Sequence, residues 1–322
     1  MTKDRNAGRS KTIRTPPEAG EAYLSRCLRL TSPAREIEAV RDRTVLGDLF
    51  DAAALLPEQC VDLMIADPPY NRNKRFAEAP FPKKSVAEYA AWTRRWLEAV
   101  LPLLKGTASV YVCCDWESSL IVGPILTEYL HVRNRITWQR EKGRGAAANW
   151  KNSMEDIWFA TVGEEYTFHL DAVKQRRRVI APYQSEGKPK DWTQTPDGKF
   201  RDTCPSNFWD DLTVPFWSMA ENTAHPTQKP EKLAAKLILA SSDPGGLVFD
   251  PFLGSGTSSV AAKKLGRHWL GIERQAQYCA WAEQRLELAE TDRTIQGYAG
   301  GVFWERNSFA QQKQYLKTGR NE

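Results

Sequence analysis

The chain has 322 residues, of which 41% are apolar and 26% charged, and a formal net charge of +5. This is the composition of an ordinary globular protein, and the length suits one large α/β domain with insertions, or two domains. There is no apolar run of roughly 18 residues, and no apolar segment follows the basic N-terminus (Lys3, Arg5, Arg9, Lys11, Arg14), so the expectation is a cytoplasmic protein with no membrane partner and no secretory signal.

The six cysteines (Cys27, Cys60, Cys113, Cys114, Cys204, Cys279) lack C-x-x-C spacing and the four histidines are scattered. Neither a metal site nor a disulfide framework is expected. The net charge conceals an asymmetry. Residues 71–84, 139–151 and 171–201 together carry a net +11, which leaves the rest of the chain at −6. Three basic runs in predicted loops suit a polyanionic partner.

Residues 1 to about 20 are polar and basic, contain Pro16-Pro17, and read as a disordered arm. Thr44 to Asp48 reads as a first strand ending in Gly-Asp, followed by a short helix from Leu49 to Leu56. Val61 to Ala66 is a short apolar run of the kind that forms a buried strand. It stops at Asp67-Pro68-Pro69-Tyr70, where two prolines end strand pairing. Such an end places a carboxylate, a rigid turn and an aromatic ring at the sheet edge where ligands bind in open α/β folds. The Asp67 carboxylate and the Pro68 carbonyl are two acceptors that match the two hydrogens of an exocyclic NH2. Tyr70 can stack on the ring that carries the amine.

The basic stretch after Tyr70, with Arg72, Lys74 and Arg75, has no hydrophobic period and reads as a loop. Ser85 to Glu88 is a capping box that opens a helix to about Leu104, with Tyr89, Trp92, Trp96, Leu97 and Val100 at core spacing. Strands at 108–114, 134–138 and 154–162 and a helix around 117–130 continue the alternation. Arg140, Lys142 and Arg144 fall in the flexible segment between the last two strands. Alternating strands and helices imply a mostly parallel sheet with crossovers on both faces. Residues 171–222 break the pattern. They are rich in Pro, Gly and basic residues, including Arg176, Arg177, Arg178, Lys188 and Lys190, interleaved with aromatics such as Trp192, Phe200 and Trp209. A loop this long is functional or disordered, and its aromatic content argues against disorder.

His225-Pro226-Thr227-Gln228-Lys229-Pro230 leads into a helix over 231–241. It is either a helix cap or, through the Thr227 hydroxyl and Lys229 ammonium, a site for the carboxylate of an amino-acid moiety. Gly246 to Thr257 is a strand, a tight glycine turn and a helix start, with Asp250, Phe252, Gly254, Ser255, Gly256 and Thr257 around the turn. The strand from His268 to Ile272 ends at Glu273, placed to accept hydrogen bonds from ribose hydroxyls. That layout also suits a dinucleotide, which makes a nucleotide-dependent dehydrogenase the rival. The glycines do not follow G-x-G-x-x-G, however, and Asp250 suits a cation better than a pyrophosphate. Residues 291–322 are polar and carry no assignment.

Asp67-Pro68-Pro69-Tyr70, the His225–Pro230 hexapeptide and the turn at Gly254 resemble the motifs of the DNA amino-methyltransferases. Their order, catalytic motif before glycine turn with a recognition region between, resembles the β group of that family over roughly residues 40–290. The resemblance implies a Rossmann-like class I methyltransferase fold, with 171–222 as an inserted target-recognition region and 291–322 as a tail. It also implies methyl transfer from S-adenosylmethionine to the exocyclic amine of a base flipped from double-stranded DNA, of the restriction-modification type, commonly by a homodimer. Asp67, Pro68, Pro69 and Tyr70 are then catalytic. Asp48, Ala66, Asp67, Thr227, Lys229, Asp250, Phe252, Gly254, Ser255, Gly256, Thr257 and Glu273 hold the cofactor, with Asp48 on its adenine. Arg72, Lys74, Arg75, Arg140, Lys142, Arg144, Arg176, Arg177, Arg178, Lys188 and Lys190 face DNA. An acidic first position resembles the adenine-N6 enzymes, with cytosine N4 as the alternative. The absence of a Pro-Cys pair argues against the cytosine C5 enzymes. A DNA-binding protein that has lost activity is the reading from a different class.

Overall fold

The strands and helices alternate along most of the chain. In order they are α1 (Pro17–Leu24), β1 (Arg43–Leu46), α2 (Leu49–Ala53), β2 (Val61–Ala66), β3 (Lys74–Phe76), β4 (Ala79–Phe81), α3 (Val86–Val100), β5 (Leu104–Cys114) and α4 (Trp116–Tyr129). There follow β6 (His131–Gln139), β7 (Met154–Thr161), β8 (Gln175–Arg178), β9 (Gln184–Ser185), β10 (Lys188–Pro189), β11 (Thr193–Thr195), β12 (Gly198–Thr203) and β13 (Phe208–Trp209). The chain continues through α5 (Glu231–Ser241), β14 (Leu247–Asp250), α6 (Thr257–Lys264), β15 (His268–Glu273), α7 (Ala276–Thr291), β16 (Tyr298–Ala299) and β17 (Val302–Trp304). This computed structural model describes residues 10–76, 79–140, 147–179, 184–185, 188–189, 191–195, 198–308 and 311–312.

The main sheet has the order β1-β15-β14-β2-β5-β7-β6-β13. It is parallel except for β7, which runs antiparallel to both of its neighbours. Because side chains alternate across a strand, each strand feeds two cores. Met64 and Ala66 face α2, α3 and α4, whereas Leu63 and Ile65 face α5 and α6. Helix α3 begins at the Ser85–Glu88 capping box, with both reciprocal bonds formed. Its Tyr89, Trp96, Leu97 and Val100 are fully buried, each contributing about 1.5–3 kcal/mol of transfer free energy. The helix stops at Val100, short of the expected Leu104, because Pro102 cannot continue the bonding pattern.

Every residue of α5 is buried, although its sequence carries three charges. A second sheet, β11-β12-β8-β17-β16, covers the side of α5 turned away from the main sheet. Leu233, Leu237 and Ile238 face the main sheet, while Ala235, Leu239 and Ala240 pack with Val173, Ile295 and Phe303. Burying charge is costly unless it is paired, and here each charge is. Lys232 and Lys236 both lie 2.6 Å from the Asp211 carboxylate, and Glu231 sits between Lys264 and Arg285 at 2.7 and 2.9 Å.

Three expectations are corrected. The N-terminal arm is held from Ser10 onward. Lys11 and Ile13 donate backbone hydrogen bonds to Trp217 and Asn222, Pro17 opens α1, and Tyr23 and Thr15 bond to Glu287 and Gln284 of α7. Prolines that read as disorder here start a helix. Residues 1–9 lie outside the described set. Within the C-terminal segment, residues 302–304 are part of the fold: β17 pairs in parallel with β8, and Phe303 and Trp304 are buried, while 309–310 and 313–322 lie outside the described residues. Residues 171–222 are not one insertion. From Phe208 the chain rejoins the main sheet through β13, and Trp209 and Leu212 enter its core.

Candidate active site

The carboxyl ends of β1, β15, β14 and β2 lie side by side and deliver Asp48, Glu273, Asp250 and Asp67 to one cavity of about 540 Å³. Phe50, Phe81, Trp92 and Phe252 form its apolar wall. Trp92 therefore lines the cavity, while its helix neighbours Tyr89 and Trp96 are core, as their spacing predicts.

The turn after β2 is fixed from three sides. The Tyr89 hydroxyl donates to the Pro69 carbonyl at 3.0 Å. The Asn71 side chain bonds the Lys84 backbone in both directions, and its backbone N–H donates to the Ser118 hydroxyl. The stretch that reads as a loop is thus tied down and contains the β3–β4 hairpin. At the centre, the Tyr70 hydroxyl lies 3.0 Å from Asp67 Oδ1 and 3.1 Å from Glu155 Oε2. Lys229 Nζ donates to Asp67 Oδ2 at 2.6 Å and to the Tyr70 oxygen at 3.1 Å, and lies 3.4 Å from Glu155. Burial and the adjacent Asp67 and Glu155 carboxylates push the Tyr70 phenol well above its ordinary pKa. Burial alone would lower the pKa of Lys229, but Asp67 and Glu155 raise it above the ordinary value, so the ammonium stays charged. In this geometry the Lys229 ammonium, just before the start of α5, is held by the carboxylates of the half-buried Asp67 and the buried Glu155.

The glycine turn forms the other half. Gly254 and Gly256 have φ of 54° and 84°, in the left-handed region. A Cβ on Gly256 would sit 2.7 Å from the Ala282 Cβ. The Glu273 carboxylate accepts the Gly254 and Gln275 N–H groups at 2.9 and 2.7 Å. Asp250 accepts the Phe252 N–H at 2.9 Å and a bond from the Ser258 hydroxyl, while burial pushes its pKa up to about 7. Thr257 donates to the Lys229 carbonyl, tying this turn to the hexapeptide. Asp48 caps α2 through the Phe50 N–H and also lines the cavity, so the cap and site readings both hold geometrically.

Of the residues expected at the site, Asp67, Pro68, Pro69, Tyr70, Asp48, Thr227, Lys229, Asp250, Phe252, Gly254, Ser255, Thr257 and Glu273 line this cavity. Ala66 is buried beneath it, and Gly256 packs on α7. Of the basic residues, Arg72, Lys74 and Arg140 line the cavity: Arg72 pairs with Asp115, and Arg140 with Glu155 at 2.5 Å. Arg75 lies on the hairpin and does not line the cavity. Arg176, Arg177 and Arg178 are on β8 of the second sheet, where Arg176 holds Asp202 through two bonds and Arg177 lies 3.4 Å from Asp210. Lys188 belongs to β10; Lys142, Arg144 and Lys190 lie outside the described residues.

Two residues that the motifs do not contain stand out. Glu155 is at the start of β7, and because β7 is reversed, its beginning lies at the edge where β2 and β5 end. Arg285, only 2% exposed, bonds the Ser255 carbonyl and Glu231, joining the glycine turn to α5.

Residues 61–284 match the DNA methylase family model for N6 and N4 enzymes. Type II methyltransferase M.HpaI of Haemophilus parainfluenzae is 30% identical over 248 residues, covering 76% of this chain and 74% of its own. DNA adenine methyltransferase YhdJ of Escherichia coli (strain K12) is 30% identical over 246 residues, 76% of this chain and 82% of its own. Among solved structures, the putative DNA modification methylase TTHA0409 of Thermus thermophilus, complexed with S-adenosyl-L-methionine, has a TM-score of 0.52 at 18% identity, over 82% of this chain and 98% of that one, and shares the fold. With the motif pair at one sheet edge and this match across most of its length, the chain belongs to the N6-adenine and N4-cytosine DNA methyltransferase family.

Proposed function

We propose that this protein is a site-specific DNA methyltransferase that uses S-adenosylmethionine to methylate N6 of an adenine turned out of the duplex. One observation carries the reading: a single cavity joins the Asp67–Tyr70 turn to the Gly254 turn and Glu273. The lining suits the cofactor. Asp48, Asp250 and Glu273 are acceptors for its hydroxyls, amine and positive charge, and Phe50, Trp92 and Phe252 offer apolar surface to its adenine.

The amine of a paired base is conjugated and inaccessible, and turning it out costs a few kcal/mol. Asp67 and the Pro68 carbonyl accept its two hydrogens, which localises the lone pair on nitrogen, while the Tyr70 ring stacks on the base. S-adenosylmethionine supplies the methyl group: the N–C bond forms as the S–C bond breaks. The amine then releases a proton to solvent, so Asp67 need not be a strong base. The basic residues from Arg72 to Lys190, in part on the second sheet, face the phosphates, and the part of 171–222 that precedes Phe208 carries target recognition. Assembly as a homodimer belongs to the same reading.

Incubation with methyl-labelled cofactor and unmodified DNA, followed by nucleoside analysis, tests the reading. N6-methyladenine within one short sequence is the expected product. N4-methylcytosine would move the assignment to the other branch of the family, and no label in DNA would overturn it.

A further inference from the structure

We infer that Glu155 is a positioning residue of the transfer: it is the second acceptor for the two groups that occupy Asp67, and it takes them over when Asp67 turns to the substrate amine. The inference rests on the methyltransferase reading above. Both Asp67 oxygens are engaged, Oδ1 by the Tyr70 hydroxyl at 3.0 Å and Oδ2 by the Lys229 ammonium at 2.6 Å. Glu155 Oε2 lies 3.1 Å from that same hydroxyl and 3.4 Å from that same ammonium.

A hydroxyl has one hydrogen and commits it to one carboxylate at a time. An ammonium in contact with Asp67 withdraws the negative charge that an amine N–H would use. An amine docking on Asp67 therefore competes with both groups. In a buried site, a displaced ammonium without a partner is costly. Glu155 removes that cost, since a small shift of Tyr70 and Lys229 keeps both donors satisfied. Glu155 is itself held in place: it is 5% exposed, and its other oxygen accepts from Arg140 at 2.5 Å. Its charge also matters. With Asp67 it offsets Lys229 and Arg140, and losing the Glu155 charge would leave the cluster more positive where a cationic methyl donor must approach.

The test compares wild type, Glu155→Gln, Lys229→Met and the double variant in single-turnover label transfer at saturating cofactor and DNA. Cofactor affinity is measured by calorimetry and folding by thermal melting. Glu155→Gln should lose about tenfold or more in transfer rate while cofactor affinity changes less than about threefold. In the Lys229→Met background, where no ammonium needs to leave Asp67, the same change should cost far less, which is the coupling a double-mutant cycle detects. A wild-type rate in Glu155→Gln, or an equal loss in both backgrounds, would overturn the inference. Should Glu155→Gln fold poorly, Glu155→Asp, which keeps the charge on a shorter arm, is run through the same cycle: a loss in transfer rate that shrinks in the Lys229→Met background supports the inference, and a wild-type rate or an equal loss in both backgrounds refutes it. A wild type that transfers nothing overturns this inference and the methyltransferase reading together, whereas an active wild type with an active Glu155→Gln overturns this one alone.

Discussion

The Lys229 ammonium stands 2.6 Å from the Asp67 carboxylate, although 162 residues of chain separate them. The turn after β2 and the hexapeptide before α5 thus meet through a charged contact at the centre of the site. Neither half is complete until β2 and β14 have paired, because that pairing sets the two segments side by side.

Replacing Asp67 with alanine removes the acceptor aimed at the substrate amine. Label transfer should fall by about a thousandfold, the upper range for losing one preorganised hydrogen-bonding group at a reacting centre. Lys229 keeps Glu155 as a partner, so the fold and the glycine-turn half of the site should survive. Of the two roles expected for Asp67, the amine contact then dominates, and calorimetry with S-adenosylmethionine should show nearly unchanged affinity; a comparable loss of affinity would make cofactor binding its main role.

Gly256→Ala tests the glycine turn. The residue has φ of 84°, and an added Cβ would lie 2.7 Å from the Ala282 Cβ and 2.9 Å from its Cα. Strained backbone alone costs roughly 1–3 kcal/mol, and α7 must also move. The variant should melt several degrees lower and bind the cofactor more weakly. An unchanged melting temperature would show that α7 yields freely.

Asp250→Asn addresses pH. Burial raises the Asp250 pKa to about 7 from the roughly 3.9 of an unperturbed aspartate. Between those values the native state holds a proton that the unfolded chain releases, so the stabilisation is full below about pH 4 and is lost as pH rises through about 7. An asparagine mimics the protonated form and should remove this slope. The melting temperature of the variant relative to wild type should rise from about pH 5 to about pH 8, and its cofactor affinity should fall most at the upper end, where wild type carries the charge. Parallel melting curves across this range would refute the assignment.

Arg178 is exposed on β8, beside the ion-paired Arg176 and Arg177. If the second sheet faces DNA, Arg178→Ala should weaken binding to all sequences alike and reduce the slope of log affinity against log salt by about one. Cofactor binding should not change. Titration of a fluorescent duplex at several salt concentrations gives the slope, and an identical slope would remove β8 from the interface.

The parts of the site that are legible in the sequence are those written contiguously. Asp67 to Tyr70 ends an apolar strand, and Gly246 to Thr257 spells strand, turn and helix, so local pattern suffices. Glu155 is hidden for a geometric reason. Sequence reasoning looks for ligands after a strand, whereas β7 is reversed and brings its first residues to that edge. The second sheet is hidden by distance: β17 pairs with β8 across more than a hundred residues, and three-residue strands have no readable period. One signal was available, since Asp197-Gly198 is a hairpin dipeptide following the polar run Thr193 to Thr195. The N-terminal arm was obscured by Pro16-Pro17, residues that suit both extended chain and a helix start.

The parallel pairing of β17 with β8 has a practical side for anyone wishing to redirect such an enzyme. Residues 171–222 look like a cassette that could be exchanged for that of a relative. Yet the sheet they build is completed by Val302–Trp304, and the loop at Trp217 and Asn222 is gripped by Lys11 and Ile13. A chimera that swaps the middle alone would set foreign strands against the original chain ends. The transplantable unit is therefore threefold, with residues 11–13 and 302–304 travelling alongside the segment they bracket.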